Sequence, residues 1–330
     1  MPRGRSVPLR RAPLVVVSIL ASVAQGPRIE APEPAVYGRF PDVTARSGPL
    51  PPPPGGTFPD GVYRWNPAST STLASRIPPP AGFRRRALTA GSFGAWLRGL
   101  PVREGRPDVR LHDGSFKKTR TAHHAVIDID VGERDLQQCA DSIIRLRAEY
   151  LLASGCADEI VFNFTSGDPA PWTRWESGER PIIEDNRAVW KMTHAPGAGY
   201  DSFRRYLDVV FTYAGTASLA RELTPVADPR HVEPGDVFIE GGFPGHAVLV
   251  VDAATDERGD RVFLLAQGYM PAQEMHVLVN PMENDIDPWY RARRTGPLVT
   301  PEWLSHHESL RRFPADACGV PRTLTAESTR

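Results

Sequence analysis

The sequence lacks the features that indicate a membrane-spanning, nucleic-acid-binding or nucleotide-binding protein. It has 39 basic and 39 acidic residues, so its formal net charge is zero, and no basic run is long enough to indicate nucleic-acid binding. No phosphate loop or dinucleotide fingerprint is present. Beyond the N-terminal 24 residues, no segment is apolar enough to cross a bilayer. Hydrophobic residues nevertheless make up 41% of the chain, which is enough for a packed core.

The N-terminus has the pattern of a secretory signal peptide. Four arginines precede a short apolar run at residues 12–23, and small residues stand around Ala24 where cleavage is expected. The alternative is an N-terminal membrane anchor, but the run is shorter than the roughly 20 residues needed to span a bilayer. We therefore expect residues 1–24 to be removed, leaving a secreted or periplasmic protein with no transmembrane span.

The remaining sequence divides by composition. Residues 25–61 are rich in Pro and Gly and are expected to form a linker, because such a segment cannot bury enough apolar surface to offset its ordering entropy. Residues 62–314 are expected to form a single α+β domain, and residues 315–330 a disordered tail. No internal repeat is present.

Cysteine is scarce, with only Cys139, Cys156 and Cys318 in 330 residues. An odd number of cysteines in an exported protein leaves at least one thiol unpaired. Cys156 and Cys318 lie in polar surroundings and could pair, which would leave Cys139 free. The alternative is that all three are reduced and structural.

Hydrophobic periodicity places helices first and a run of strands later, which is typical of an α+β fold with an antiparallel sheet. Helices are expected at residues 92–100, 135–152, 202–213 and 218–223. Strands are expected at residues 125–131, 159–164, 237–240, 246–252, 262–267 and 275–279. For the longest helix, Asp135 with Gln138 resembles a capping box, and Cys139 shares a face with Ile143, Leu146 and Tyr150.

The segment GDVFIEGGFPGHAVLVVD, residues 235–252, followed by RVFLLAQGYMPAQ, residues 261–273, carries the main functional signal. A polar turn at residues 256–260 predicts a hairpin that places His246 opposite Gln267 or Tyr269. Cross-strand neighbours have Cβ atoms about 5 Å apart, so a side-chain amide would contact the imidazole. Such a contact fixes the tautomer of a general base. His276 is a weaker alternative base because it follows no Gly-rich turn.

Cys139 is the candidate nucleophile. It lies in the first turn of the predicted long helix, where unpaired backbone N–H groups favour a thiolate and can act as an oxyanion hole. A nearby His246 would lower the thiol pKa further. The chemistry implied is acyl transfer through a thioester. The competing interpretation is that Cys139 is a small buried hydrophobe in the core.

Five segments in order resemble an uncharacterised family called domain of unknown function 4846. They are FGAWLRGLPV (93–102), AVIDIDVGERDLQQCADSIIRLRAEYL (125–151), FRRYLDVVFTYAGTASL (203–219), the segment at 235–252, and LLAQGYMPAQEMHVLVNP (264–281). The family name implies no activity.

More distantly, GDV followed by GHAVLVVD and a strand with LLAQ is similar to CHAP and NlpC-type amidases of the papain-like fold. That resemblance implies a papain-like antiparallel sheet packed against helices. It also implies catalytic roles for Cys139, His246 and Gln267.

Two weaker patterns remain. The pair Trp172 and Trp175, and Trp289 with Tyr290, could form a ledge for stacking glycans. His123 and His124 with Asp128 and Asp130 could suggest a metal site, but nothing completes a ligand set, so no metal is expected.

The sequence thus favours an exported papain-like cysteine hydrolase of amide or peptide bonds, with peptidoglycan stem peptides as one candidate substrate. The alternative is a non-catalytic envelope protein of the same fold, with a ligand-binding or structural role. No cofactor and no nucleic-acid partner are expected; a cell-wall peptide or glycan is the expected substrate, and the oligomeric state is open.

Overall fold

The computed structural model describes residues 71–315. Its helices are α1 Leu73–Arg76, α2 Phe93–Arg98, α3 Cys139–Ala153, α4 Trp172–Glu176, α5 Tyr200–Tyr213 and α6 Thr216–Glu222. Its strands are β1 Arg84–Arg85, β2 His123–Val126, β3 Val161–Asn163, β4 Pro169–Pro171, β5 Glu179–Glu184, β6 Arg187–Met192, β7 Thr224–Pro225, β8 Val237–Glu240, β9 His246–Thr255, β10 Arg261–Gln267, β11 His276–Leu278, β12 Tyr290–Arg291, β13 Pro297–Val299, β14 Leu304–His306 and β15 Leu310–Arg312. The expected signal peptide, the linker and nearly all of the expected tail lie outside these residues.

One large sheet organises the described part of the chain. Its strands run in the order β2-β11-β10-β9-β8-β15-β7, with β1 added to β9 and β12 added to β10. The neighbouring strands of this sheet pair in antiparallel orientation. The chain is therefore a mixed α+β protein built on a large antiparallel sheet, as the sequence predicts.

The sheet is buried on both faces because β8, β9 and β10 alternate between two cores. Up to Val251, the odd positions of β9, such as Leu249, belong to the larger core with helices α3 and α5; beyond Val251 the alternation reverses, and Ala253 belongs to the smaller core. The even positions Val248 and Val250 belong to this smaller core with Leu298 and with Leu310 of β15. His246 and Gln267 share the parity of the second set.

Helix α3 is the central helix of the fold. Almost every residue of its length is buried, including the polar Ser142 and Arg145. It packs against β9 and against α2 and α6. Because it is enclosed on most sides, its first turn is held firmly against the end of the sheet.

Several predicted elements are confirmed with shifted bounds. The strand at 237–240 and the start of the strand at His246 agree with the structure, and α2 begins after the expected Ser92 cap, whose Oγ accepts the Ala95 N–H. The strand expected at 125–131 is shorter and earlier, at His123–Val126.

The predicted start of the long helix at Asp135 is wrong. Helix α3 begins at Cys139, and Gln138 takes the cap position. Asp135 does not cap the helix, because its Oδ1 accepts the Ala272 N–H at 2.6 Å and the Gln138 side-chain amide at 3.1 Å. A tertiary contact with the β10–β11 connection thus competes with the local cap.

The sequence patterns did not reveal the β5–β6 hairpin. Its turn contains Asp185 and Asn186, both with positive φ (48° and 60°), as expected for residues that tolerate the left-handed region. This hairpin pairs only with itself in the described structure and stands apart from the large sheet.

Candidate functional site

The hairpin of β9 and β10 carries two of the predicted site residues at the same end of the sheet. Its register contains an irregularity, since Leu264 pairs with Asp252 whereas Leu265 pairs with Val250. The resulting bulge accommodates one extra residue of β9 and shifts the pairing by one position. His246 is the first residue of β9 and Gln267 is the last residue of β10, so both residues lie at the same end of this antiparallel pair.

The imidazole of His246 is buried and contacts Gln267. Its Nε2 lies 2.9 Å from Gln267 Oε1. The rings of Tyr269 and Trp303 lie beside it, each with a centroid separation of 5.1 Å. The structure thus brings together the amide and imidazole that the hairpin pattern predicts as neighbours, and encloses the imidazole between two aromatic rings.

This enclosure sets the titration of His246. Burial lowers its pKa to about 4, although the contact with Gln267 and the charge of Glu240 act in the opposite direction. The positive charge of Lys117 adds to the lowering. The imidazole is therefore neutral at neutral pH and able to accept a proton.

Cys139 is the first residue of helix α3. The helix start is capped by Asp141, whose Oδ2 accepts the Gln138 N–H at 3.1 Å. The backbone of Gly268, just after β10, packs against the same turn: a Cβ added there would lie 2.8 Å from the Gln138 carbonyl oxygen. A glycine is thus required where the β10 end meets the helix start.

The thiol of Cys139 is free; the residue as a whole is half-buried, and protein atoms surround its sulfur densely. Burial, followed by the charge of Asp141, raises its pKa to about 11. The backbone N–H groups of Ala247, Ala140 and Cys139 itself act in the opposite direction. The expected net lowering of the thiol pKa is therefore wrong: the amides at the helix start do lower it, but desolvation and the charge of Asp141 outweigh them.

The effect of Ala247 on the thiol relates Cys139 to His246. The backbone amide of Ala247, the residue that follows His246, lowers the pKa of the thiol, and Cys139 in turn raises the pKa of Tyr269. Within residues 71–315, no hydrogen bond joins the sulfur to the imidazole. The structure places the helix start, the β9 start and the β10 end in one corner, with a neutral thiol and a neutral imidazole.

Residues that the sequence patterns did not single out complete this corner. Glu302 Oε2 accepts the Gln267 Nε2–H at 2.9 Å, and Glu302 Oε1 lies 2.8 Å from Lys117 Nζ. The indole N–H of Trp303 donates to Glu240 at 3.3 Å. Lys117, Glu302 and Trp303 come from loops distant in sequence from the β9–β10 hairpin, so no local spacing could reveal them.

The alternative base His276 is fully buried behind Gln267. Its Nδ1 lies 2.9 Å from the Glu274 carbonyl oxygen, and burial lowers its pKa to about 3. Its Nε2 lies 3.5 Å from Gln267 Nε2. Both ring nitrogens of His276 therefore have polar neighbours other than the thiol.

The structure excludes one of the two alternatives for the pairing of the cysteines. Cys156 is disulfide-bonded, which excludes the alternative in which all three cysteines are reduced. Cys139 is a free thiol. The remaining cysteine, Cys318, lies outside the described residues.

The proposed glycan-stacking ledges are wrong. The exposed fractions of Trp172, Trp175, Trp289 and Tyr290 are 1%, 5%, 1% and 3%. Trp172 and Trp175 pack on the aromatic face of α5, and Trp289 donates its indole N–H to the Pro78 carbonyl. These rings are core residues that cannot stack on a sugar.

Three of the four residues considered for a metal site bind other partners. Asp128 pairs with Arg103, Asp130 pairs with Arg145, and His123 Nε2 contacts the Pro107 carbonyl at 2.9 Å. The part of the chain from 71 to 315 contains no group of three or more His, Cys, Asp or Glu side chains placed to hold a metal ion. In the same residues, no helix has the length and apolarity to cross a membrane.

Fold and site define an α+β protein whose sheet edge and helix start converge on a cysteine and a histidine. The family model described as Domain of unknown function (4846) matches residues 73–312, and the chain belongs to this family. No curated protein and no solved structure is significantly similar to the chain. The matched region contains Cys139, His246, Gln267 and Glu302.

Proposed function

We propose that this protein is an exported cysteine hydrolase of the papain-like type that cleaves amide or peptide bonds. The observation that carries the proposal is the corner described above. The free thiol of Cys139, a half-buried residue at the start of α3, lies beside the backbone amide that follows His246, whose Nε2 is held by Gln267. A nucleophile, a base and a group that orients the base are the minimum set for covalent acyl transfer.

The proposed reaction begins from neutral groups. With Nε2 directed to Gln267, the other nitrogen of His246, Nδ1, is left to take the thiol proton as the sulfur attacks the carbonyl carbon. The new C–S bond replaces the C–N bond, and the proton passes from Nδ1 to the leaving amine. Water then hydrolyses the thioester with His246 as base, which regenerates the thiol and releases the acid.

The raised thiol pKa constrains this mechanism. A thiol with a pKa of about 11 beside an imidazole with a pKa of about 4 does not form an ion pair before substrate binds. Proton transfer therefore accompanies attack. The backbone N–H groups of Cys139 and Ala140 lie at the helix start, where they can stabilise the developing oxyanion.

Peptidoglycan stem peptides are the proposed substrates, in keeping with the expected export and with the resemblance to CHAP and NlpC-type amidases. Exposed apolar side chains border the corner: Phe243, in the loop before β9, is 85% exposed and Met270, after β10, is 59% exposed. Phe243 precedes His246 by three positions, and Met270 follows Gln267 by three positions. They can contact the apolar parts of a bound peptide.

The test is hydrolysis of purified peptidoglycan and of synthetic stem peptides, followed by the appearance of new amino groups. Wild type should cleave, Cys139→Ala should not, and His246→Gln should be slower by about 10²–10⁴-fold, the usual contribution of a general base. His194→Gln, at an exposed histidine beyond β6, is the matched control and should retain wild-type activity. Equal activity of wild type and Cys139→Ala would contradict the proposal.

A second function is favoured by the same pKa values. A neutral thiol and a neutral, enclosed imidazole also suit a non-catalytic envelope protein that keeps the fold and binds a ligand at this corner. Such a protein would bind stem peptides without cleaving them, and Cys139→Ala would leave binding unchanged. Calorimetric titration of wild type and Cys139→Ala with these peptides distinguishes the two functions.

A further inference from the structure

A chain of buried polar contacts runs behind Gln267 and is not used in the proposed reaction. Gln267 Nε2 donates to Glu302 Oε2 at 2.9 Å, and Glu302 Oε1 lies 2.8 Å from Lys117 Nζ. Lys117 also donates to Gln273 Oε1 at 2.8 Å. The side chains of Lys117 and Glu302 are only 7% and 12% exposed.

These contacts fix which way the Gln267 amide points. An ionised carboxylate can only accept hydrogen bonds, so the amide must present its N–H to Glu302. His276 agrees with this orientation: its Nδ1–H donates to the Glu274 carbonyl, which leaves its Nε2 as an acceptor 3.5 Å from Gln267 Nε2. Gln267 Oε1 is therefore directed at His246.

The orientation of the amide in turn fixes the tautomer of His246. Because Gln267 offers an oxygen at 2.9 Å, the Nε2 of His246 must carry the proton. The lone pair is then on Nδ1, the nitrogen that Gln267 does not engage. A reversed amide would move the proton to Nδ1 and leave no base there.

We infer that Glu302, held by Lys117, is a positioning residue that sets the Gln267 amide and, through it, the tautomer of His246. A buried ion pair adds little net stability, because the desolvation of both charges offsets their attraction. Here the pair gives Gln267 one permitted orientation. The inference rests on the proposed function only where it treats His246 as a base, since the tautomer is measurable in a protein without activity.

The test is nitrogen NMR of protein labelled with ¹⁵N-histidine, with the His246 signals assigned from their loss in His246→Gln. Wild type should show protonated Nε2 and bare Nδ1. The variant E302Q is nearly isosteric but has one acceptor oxygen instead of two. Because the Lys117 ammonium can only donate hydrogen bonds, it binds the one amide oxygen that E302Q provides. The amide N–H at position 302 is then directed at Gln267. Gln267 then reverses, and the Nδ1–H tautomer should become the major form.

A second substitution makes the test specific. Adding K117M to E302Q removes the cation that claims the oxygen, so the wild-type tautomer should return, whereas K117M alone should leave it unchanged. The control E184Q alters an exposed Lys191–Glu184 pair of 2.8 Å on the β5–β6 hairpin and should have no effect. If E302Q does not fold, the double variant K117M/E302L carries the test, with a mixture of tautomers expected.

The wild-type tautomer in E302Q, or in K117M/E302L, would overturn the inference. So would failure of K117M to restore the tautomer in a folded E302Q protein. These results are independent of peptide cleavage. If the variants shift the tautomer but the protein cleaves no peptide, the proposed function is contradicted and the positioning role stands. If the protein cleaves peptides but the tautomer does not shift in the variants, the positioning role is contradicted and the proposed function stands.

Discussion

The Nε2 of His246 lies 2.9 Å from the Oε1 of Gln267 on the neighbouring strand, and both side chains are buried. A buried amide–imidazole contact is a specific device, because it holds one ring nitrogen and leaves the other for chemistry. Substitution of either residue should therefore affect the stability of the protein and the titration of the imidazole.

Replacing Gln267 tests that contact. Gln267→Ala removes the hydrogen-bond partner of His246 Nε2 and one of the two partners of Glu302, which keeps Lys117, so the free energy of unfolding should fall by about 1–3 kcal/mol. Gln267→Glu combined with E302Q places one carboxylate beside the imidazole without a second carboxylate next to it, and should raise the His246 pKa above its value of about 4. Urea denaturation measures the first effect and an NMR titration of the ring measures the second. A His246 pKa in this double variant equal to that of E302Q would mean that the two groups do not interact.

The stability of the protein should depend on pH through His246. Its pKa is about 4 when folded and 6.5 when unfolded, so below pH 6.5 the unfolded chain binds a proton that the folded chain does not. The contribution of about 3 kcal/mol is full above pH 6.5 and is lost as the pH falls towards 4. His246→Gln removes this dependence. The difference in unfolding free energy between wild type and His246→Gln should therefore change across pH 4–6.5 and be constant above it.

Asp141 should control the reactivity of Cys139. Its carboxyl is buried, its Oδ1 has no hydrogen-bond partner among residues 71–315, and burial raises its pKa to about 8. Asp141→Asn keeps an oxygen for the Gln138 N–H and removes the charge that raises the thiol pKa. Alkylation of Cys139 above pH 8 should be faster in this variant than in wild type.

The control for this change is Asp158→Asn, at an exposed acid after α3, which should leave the alkylation rate unchanged. Asp141→Asn should also be more stable than wild type above pH 8. There the folded wild-type protein must ionise a buried carboxyl that ionises near pH 3.8 when unfolded, and so it loses stability as the pH rises from 3.8 to about 8. Identical alkylation profiles for Asp141→Asn and wild type would show that the carboxyl does not influence the thiol.

The ring of Trp303 should exclude water from the imidazole of His246. Its ring lies 5.1 Å from the imidazole, and its indole N–H donates to Glu240. Trp303→Ala admits water to the imidazole and should raise the His246 pKa towards 6.5, because desolvation is the main cause of its lowering. Trp303→Phe retains most of the cover and should shift it less. A titration of the ring in which both variants match wild type would rule out this role.

Local patterns were sufficient for five strands of the large sheet, β2, β8, β9, β10 and β11, but did not predict β1, β7, β12 or β15. The apolar β-branched run from His246 to Asp252 and the polar turn after it predict β9, β10 and their pairing, because hairpins are specified by neighbouring residues. The same reasoning brings His246 and Gln267 together. It could not give the bulge at Leu264 and Leu265, which depends on packing against both cores.

Tertiary contacts determined what the patterns missed. The helix start moved from Asp135 to Cys139 because Asp135 binds the distant Ala272 backbone. The direction of the Cys139 pKa shift depends on burial, which helix position alone does not reveal. Glu302 and Trp303 lie in a turn near the C-terminal end of the described residues that no sequence pattern predicted. In this turn the Thr300 hydroxyl accepts the Trp303 N–H at 3.1 Å.

The most direct measurement of the central claim is the rate at which iodoacetamide alkylates Cys139 at pH 7, resolved by mass spectrometry, in wild type and His246→Gln. If the imidazole takes the thiol proton during attack, the rate should fall by about 100-fold in the variant, while His194→Gln should react like wild type. Equal rates in wild type and His246→Gln would show that the histidine does not act on the sulfur, and the cysteine hydrolase would have to be abandoned.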